Sequence, residues 1–276
     1  MQNAIVVFTK VPKLGVTKTR LTTNREGILT QEEAMAFYEG CLLDVINVCT
    51  AAKSGDVWIC YNHDGDLKYL GEFLDKVAHR SQIQGIFADQ GGTFDECIQY
   101  AADYILKNGD PDRFADSVLI VGGDIPSLQP NILQDAVCKL QRLASSESGL
   151  AVANKKATVD PSLGAAILEG ACQEGGFSVV GFTCTTPFDF SGIFYNPDGI
   201  TALDMLVTKA KEKKIPFAIV EMASDVDIPI DLASMIPVIK ALQLAARYDD
   251  RVIAPVHTIE IIEKIGLESS ATPPQR

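Results

Sequence analysis

The sequence predicts an α/β protein in which helices cover both faces of a mostly parallel central sheet. Three observations predict this. Short apolar runs rich in β-branched residues alternate with amphipathic stretches along nearly the whole chain. The runs are apolar throughout rather than alternating, which suits strands buried on both faces. The central run, VLIVGGDIPSL at 118–128, ends in Gly122, Gly123 and Asp124, followed by Pro126. Open α/β sheets bind their ligands at such a strand end, and the glycines would let the backbone turn and a ligand come close.

Taken in order, residues 4–8 read as a first buried strand. Thr30 and Glu33 form a capping box opening a helix to about residue 50, with Met35, Tyr38, Cys41, Leu42, Val45 and Cys49 on one stripe. A strand at 57–61, a helix at 66–78 and a strand at 83–87 follow. Thr93 and Glu96 form a second capping box, so Gln90, Gly91 and Gly92 precede a helix N-terminus. That turn suits an anion or a base edge, or is simply a turn. After the central strand, Pro130 opens a helix to 143, and 149–154 reads as another strand. Residues 155–173 carry no clear pattern. A glycine pair at 175–176 feeds a strand to 182, and 187–199 reads as a loop with Phe188, Phe190, Phe194 and Tyr195, for pocket or core. A helix at 200–213, a strand at 217–221 and a helix at 232–246 complete the pattern. The expected division is one domain over 1–247 and an extension over 248–276, with a disordered tail from 269.

With 276 residues, 47% hydrophobic, the chain has ample material for a core. Its 24 cationic and 36 anionic side chains give a net charge of −12, which argues against nucleic-acid or anionic-membrane binding. Seven scattered cysteines without a C-x-x-C pair point to reduced thiols in a cytoplasmic protein. The N-terminal apolar run is too short for a signal peptide, and no membrane insertion is expected.

Against this acidic background the first loop is inverted. Lys10, Lys13, Lys18, Arg20 and Arg25 all precede the first acidic residue, Glu26. A strand followed by a loop with Gly15, Thr19 and several cations suits phosphate binding through charge-assisted hydrogen bonds. It matches neither a Walker A loop nor a dinucleotide fingerprint, and a solvated cationic loop is the plain alternative. Far downstream, Asp225, Asp227 and Asp231 crowd a proline-punctuated turn. Such aspartates cap helices, and Asp-X-Asp also offers hard oxygens to Mg²⁺ or Mn²⁺. Cations plus metal-binding carboxylates are what chemistry on a nucleotide diphosphate or triphosphate requires.

These stretches resemble the motifs of the DUF2064 family, GT-A-like nucleotide-diphospho-sugar transferases also called selenodomain-associated transferase 1. FTKVPKLGVTKTRL at 8–21 is similar to F-x-K-x-P-x-x-G-x-x-K-T-R-L, and GGDIPSL at 122–128 to G-x-D-x-P-x-L. EGGFSVVGF at 174–182 is similar to D-G-G-Y-Y-L-L-G-L, and DVDIPIDL at 225–232 to D-V-D-T-P-E-D-L. Glu174 stands where the family has aspartate, and Phe177 where it has tyrosine. The resemblance implies a GT-A-like, Rossmann-type sandwich. It implies phosphate binding by Lys10, Gly15, Lys18 and Arg20, and metal binding by Asp124 and Asp227. Related families include guanylyltransferases and GT-A glycosyltransferases.

The expected function is metal-dependent transfer from an activated nucleotide, with a nucleotide or nucleotide-sugar donor and a small-molecule acceptor. Sugar transfer leads, guanylyltransferase-like nucleotidyl transfer is the alternative, and a non-catalytic nucleotide-binding module is a third reading. The candidate catalytic residues are Lys18, Arg20 and Asp124. Lys10, Lys13, Gly15, Thr19, Gln90, Gly91, Gly92, Gly123, Glu174, Gly175 and Gly176 are candidates for binding, and Asp124 and Asp227 for Mg²⁺ or Mn²⁺.

Overall fold

The structure is a computed structural model that describes residues 1–25, 27–154, 160 and 162–268. Seven strands form one sheet in the order β3-β2-β1-β4-β6-β5-β7. They are β1 (Asn3–Thr9), β2 (Asp56–Tyr61), β3 (Ile83–Ala88), β4 (Ser117–Gly122), β5 (Ile167–Ala171), β6 (Phe177–Thr183) and β7 (Phe217–Ile219). The first four are mutually parallel. β6 is antiparallel to both neighbours, β4 and β5, and β7 returns parallel to β5. The helices are α1 (Gln31–Ala52), α2 (Leu67–Leu74), α3 (Phe94–Leu106), α4 (Pro130–Ala144), α5 (Glu147–Val152), α6 (Ala202–Glu212), α7 (Pro229–Ala245) and α8 (Val256–Ile265).

The order positions the site. β1 and β4 end at the same edge of the sheet, Val7 pairing with Val121 and Phe8 with Gly122. Antiparallel β6 begins at that edge. The segments after β5 and β7 return to it, bringing residues 172–176 and 225–227 against the ends of β1 and β4. One long-range bond fixes this meeting: the Val226 amide donates to the Asp124 carbonyl at 3.2 Å.

Both expected capping boxes are present. Thr30 Oγ1 accepts from Glu33 N at 3.1 Å, and Glu33 Oε2 accepts from Thr30 N at 2.8 Å. Thr93 and Glu96 repeat the pattern at the start of α3. By length and composition α1 could cross a membrane, but most of it is buried in the protein. The main core lies on the two faces of the sheet. A second apolar cluster joins Leu21 of the cationic loop, Phe37 and Cys41 of α1, Val226 of the acidic turn, Leu232 and Ile236 of α7, and Ile259 and Ile262 of α8. Burying one Leu or Ile side chain contributes about 1.5–3 kcal/mol, so this cluster firmly anchors both turns that carry charge.

Two expectations change. Residues 149–154 do not form a strand; α5 covers 147–152, because Ser146 caps it, accepting from Gly149 N at 3.1 Å. A short apolar run leaves helix and strand undistinguished, and here the cap decides. β5 lies within the stretch that carried no pattern. The stretch expected as an extension carries α8. α8 packs along α1, and buried Asp44 accepts from His257 N, Thr258 N and Thr258 Oγ1 at 3.2, 2.8 and 2.7 Å. Of the expected tail, 269–276 lies outside the described residues.

Candidate active site

The strand ends open onto a cleft of about 640 Å³. Its charged wall is assembled from three distant segments. Lys18 Nζ donates to Asp124 Oδ2 at 2.5 Å and to Asp227 Oδ1 at 2.6 Å, and Arg20 Nη2 donates to Asp227 Oδ2 at 2.5 Å. The Lys18 side chain is only 7% exposed, whereas that of Arg20 is 51% exposed. Lys18 sits in the left-handed region, at φ 51°, where a short 3-10 turn, Thr19–Leu21, begins. A lysine pays strain for that conformation, and the buried Leu21 and the ion pairs hold it there.

The electrostatics follow from burial against countercharge. Burial alone would lower the Lys18 pKa, but Asp124 and Asp227 outweigh it and hold the ammonium well above the ordinary lysine range. Burial alone would raise Asp227, but Lys18, Arg20 and Lys10 hold it below the usual carboxylate range. Asp225 forms no ion pair among the described residues, and Lys18 offsets its burial only in part. Burial, then Asp124 and Asp227, push it up to about 6.

Tyr38 supports this wall from α1. Its hydroxyl lies 2.6 Å from Thr9 Oγ1 and accepts from Lys10 N at 3.3 Å, and its ring centroid is 5.7 Å from Lys18 Nζ. Burial, then the nearby Asp124 charge, raise its pKa to about 12. Asp231 supports the wall from α7. Its Oδ2 accepts from Asp227 N and Ile228 N at 3.0 and 2.9 Å. The acidic turn therefore divides its labour: Asp231 does the capping, and Asp225 and Asp227 line the cleft.

Of the residues singled out in the sequence, Lys10, Lys18, Thr19, Arg20, Gly91, Gly92, Gly123, Asp124, Gly176 and Asp227 line the cleft. Lys13, Gly15, Gln90, Glu174 and Gly175 do not. Lys13 shapes the loop instead, its amide donating to Thr17 Oγ1 at 2.8 Å and its carbonyl accepting from Val16 N and Thr17 N. Gly15 is a left-handed turn residue at φ 72°. Glu174 and Gly175 form the turn into β6, and a Cβ on Gly175 would come within 2.6 Å of Thr201. Gly123, directly after β4, also serves packing: a Cβ there would lie 2.9 Å from Thr9 Oγ1 and 3.0 Å from Leu42. The Gly91–Gly92 turn is closed from within, since Glu96 Oε2 accepts from Gly92 N at 2.7 Å and Thr93 N at 3.0 Å. An anion there would have to displace Glu96.

His63 and Asp89 escape sequence reading, whereas Phe194 and Tyr195 are among the loop aromatics read there as pocket or core. His63 Nδ1 lies 2.8 Å from Asp89 Oδ1, which also accepts from His63 N at 2.8 Å. Phe8, Phe94, Phe177, Phe194 and Tyr195 also line the cleft, while Phe188 and Phe190 are core. The Cys172 thiol adjoins Asp225.

The donor chemistry can be tested against a divalent cation. Asp124 and Asp227 offer hard oxygens at one point of the cleft, and Mg²⁺ is commonly held by one or two carboxylates completed by water and phosphate oxygens. Among the described residues no group of three or more His, Cys, Asp or Glu side chains forms a metal site. Two carboxylates completed by a ligand would be the donor set, and Lys18, which lies between them, would have to give up its place.

Fold and cleft together define the class: a GT-A-like α/β protein whose strand-end cleft carries a cation loop facing paired acids. The chain belongs to the DUF2064 family; that family's model, described as an uncharacterized protein conserved in bacteria, matches residues 45–197. The matched span includes Asp124 but neither the Lys10–Arg20 loop nor Asp227. A similar solved structure is that of a protein from Desulfovibrio desulfuricans G20 assigned as a nucleotide-diphospho-sugar transferase. It is 20% identical, with a TM-score of 0.67 over 96% of this chain and 97% of that one. A cytidylyltransferase from Leptospira borgpetersenii serovar Hardjo-bovis (strain JB197) is 15% identical, with a TM-score of 0.49 over 96% and 95% of the two chains. Among curated proteins none matches.

Proposed function

We propose that the protein transfers a group from an activated nucleotide, in the first instance a sugar from a nucleotide-diphospho-sugar to a small-molecule acceptor. The observation that carries this reading is Lys18, a buried ammonium between Asp124 and Asp227 with Arg20 on the solvent side. A buried ion pair is a weak source of stability. It suits a site whose charges are redistributed when a ligand arrives. Lys18, Arg20 and Lys10 donate to the incoming phosphate oxygens, with Arg20 open to the outer end of the cleft and Lys18 at its floor. Asp124 and Asp227 would hold Mg²⁺ or Mn²⁺, which neutralises charge on the departing nucleotide diphosphate. The Tyr38–Thr9 pair fixes the end of β1 beneath the phosphates, and Asp231 fixes Asp227. The name carried by the Desulfovibrio protein agrees with this reading.

Nucleotidyl transfer from a nucleoside triphosphate is the second reading. It is favoured by three cations from one strand and loop, Lys10, Lys18 and Arg20, lining a single cleft. Calorimetry with nucleoside diphosphates, triphosphates and nucleotide-sugars, with and without Mn²⁺, tests both. Asp124→Asn should abolish the metal-dependent part of binding and leave the thermal transition in place. Unchanged metal-dependent binding overturns the assignment of Asp124. Release of nucleoside diphosphate supports sugar transfer, and release of pyrophosphate supports nucleotidyl transfer. Binding without either product would make the protein a nucleotide-binding module.

A further inference from the structure

The same cleft also carries an aromatic wall. Phe94 opens α3, Phe177 opens β6, and Phe194 and Tyr195 come from the loop between β6 and α6. Their rings form a continuous series, edge-to-face at Phe94–Phe194 and Phe94–Tyr195 and tilted at Phe177–Phe194. The centroids lie 4.6 Å apart for Phe94 and Phe194, 5.2 Å for Phe177 and Phe194, and 6.3 Å for Phe94 and Tyr195. Phe8 backs Phe94 at 5.6 Å.

Two features set this wall apart from ordinary core. Tyr195 is 90% exposed and sits at φ 51°, a left-handed conformation that is strained for an aromatic residue. Of the other described non-glycine residues at positive φ, Lys53, Lys107, Asn108 and Lys214 stand at helix ends, where such a φ terminates the helix, and Lys18 and Glu174 lie in short 3-10 turns. Tyr195 terminates nothing. In addition, its loop is held by a dedicated carboxylate. Asp95 accepts from Gly192 N at 2.7 Å and from Phe194 N at 2.9 Å, tying the loop to the first turn of α3. An exposed ring held this way lacks an apolar partner on its open face.

We propose that this wall is the acceptor subsite, and that it selects an acceptor carrying a flat apolar ring, such as an aryl glycoside or aryl alcohol. The proposal rests on the reading of the charged wall as the nucleotide-phosphate site. The base of that nucleotide has a different neighbourhood available. His63, Asn62 and Asp89, at the ends of β2 and β3, offer polar groups to read a base edge, whereas Phe177 and Tyr195 belong to the β6 side. Phe177 occupies the position at which the family motif has a tyrosine, so three of the four rings carry no hydroxyl. A flat aromatic ring adds offset-stacked or edge-to-face contact with them that a methyl group does not offer.

Phenyl and methyl β-glucoside share one sugar and differ in the ring, so they make the test. Titration of the full-length protein by saturation-transfer NMR, without nucleotide and with UDP or GDP plus Mn²⁺, should show phenyl glucoside binding at least about fivefold more tightly than methyl glucoside. Tyr195→Ala and Phe94→Leu should each weaken phenyl glucoside roughly three- to tenfold, leaving methyl glucoside and nucleotide within about twofold. Tyr195 is exposed, so its substitution is not expected to disturb folding. Equal binding of the two glucosides, or phenyl binding indifferent to Tyr195→Ala, would overturn the proposal. So would a Tyr195→Ala variant that weakens nucleotide as much as phenyl glucoside, since the wall would then be a platform for the base. Absence of nucleotide binding in the wild type would sink the transferase reading alone, because the ring preference is measured without nucleotide as well.

Discussion

The two walls of the cleft are held by the same device used in different surroundings. In each, one aspartate accepts two backbone N–H groups of a turn that presents the working side chains. Asp231 holds the turn bearing Asp227, and Asp95 holds the turn bearing Phe194 and Tyr195. Asp231 is buried beside an apolar cluster that also anchors Leu21 and Val226. Asp95 is half-exposed, and the loop it holds ends in a ring that faces solvent. The backbone of the turn bearing Asp227 is thus held by buried contacts, so that under the proposed reading its acid keeps its place while Lys18 shifts toward the phosphates. The aromatic wall is tied at its base and open at its tip, which suits a surface selecting ligands by shape.

Lys18→Ala should have the largest effect. It leaves Asp124 and Asp227 facing each other without their shared cation, in a site where both are largely screened from water. Removing one partner of a fully buried pair costs about 3–5 kcal/mol; because both aspartates keep some exposure, about 2 kcal/mol is expected here. Nucleotide affinity should fall on the order of a hundredfold. Mn²⁺ should restore part of the lost stability, since it would bind only the folded pair of acids. Thermal unfolding with and without metal checks this. A variant with unchanged melting temperature and nucleotide affinity would show that the charged wall is only a surface ion pair.

How far these walls were legible in the sequence follows from the distance over which each contact is made. The capping boxes at Thr30 and Thr93 are pairs three residues apart, so both were readable. Lys18, Asp124 and Asp227 were readable as motif residues, although nothing in their spacing shows that one ammonium joins both acids. Tyr38 looked like one more residue of an apolar helix stripe. Its hydroxyl contact with Thr9 depends on how α1 crosses β1. Asp95 was hidden beside the stronger capping signal of Glu96, and its partners lie 97 and 99 residues away. β5 was unreadable because Glu169 interrupts its apolar run. α8 begins after Pro255 and takes the buried Asp44 of α1 at its first turn, 213 and 214 residues distant. Local chemistry thus announced the elements and the charged motifs, while the sheet order decided what meets in the cleft.

Exchanging the two holding aspartates for alanine sharpens the contrast. Asp231→Ala removes a cap and two bonds to the acidic turn, for a loss of about 1–2 kcal/mol. It should weaken nucleotide binding roughly tenfold, a loss of the kind expected when a buried charge pair is displaced. It should not change the preference for phenyl glucoside. Asp95→Ala should cost about 1 kcal/mol and do the reverse, weakening phenyl glucoside and sparing nucleotide. Paired titrations of both variants with both ligands check the separation. If each variant weakens both ligands equally, the walls are one mechanical unit and their comparison fails.

Arg20→Ala should have the smallest effect on stability, below about 1 kcal/mol, because its guanidinium is half-exposed and its ion pair is screened by salt. The acid limb of the stability profile separates it from Lys18. Burial works to raise Asp227, and Lys18 more than Arg20 holds its pKa low. A depressed carboxylate contributes stability that is present above its unfolded value of about 4 and is lost as pH falls through the lower folded value. Removing Arg20 should move that acid limb only slightly, whereas removing Lys18 should move it clearly toward higher pH. Affinity for a nucleoside triphosphate should nevertheless fall about tenfold in Arg20→Ala at low salt, and less as ionic strength rises. Melting curves from pH 3 upward, set beside triphosphate titrations at two salt concentrations, measure both. An acid limb displaced equally by the two substitutions would place Lys18 and Arg20 in one exposed cationic surface, and would remove the distinction between the floor of the charged wall and its rim.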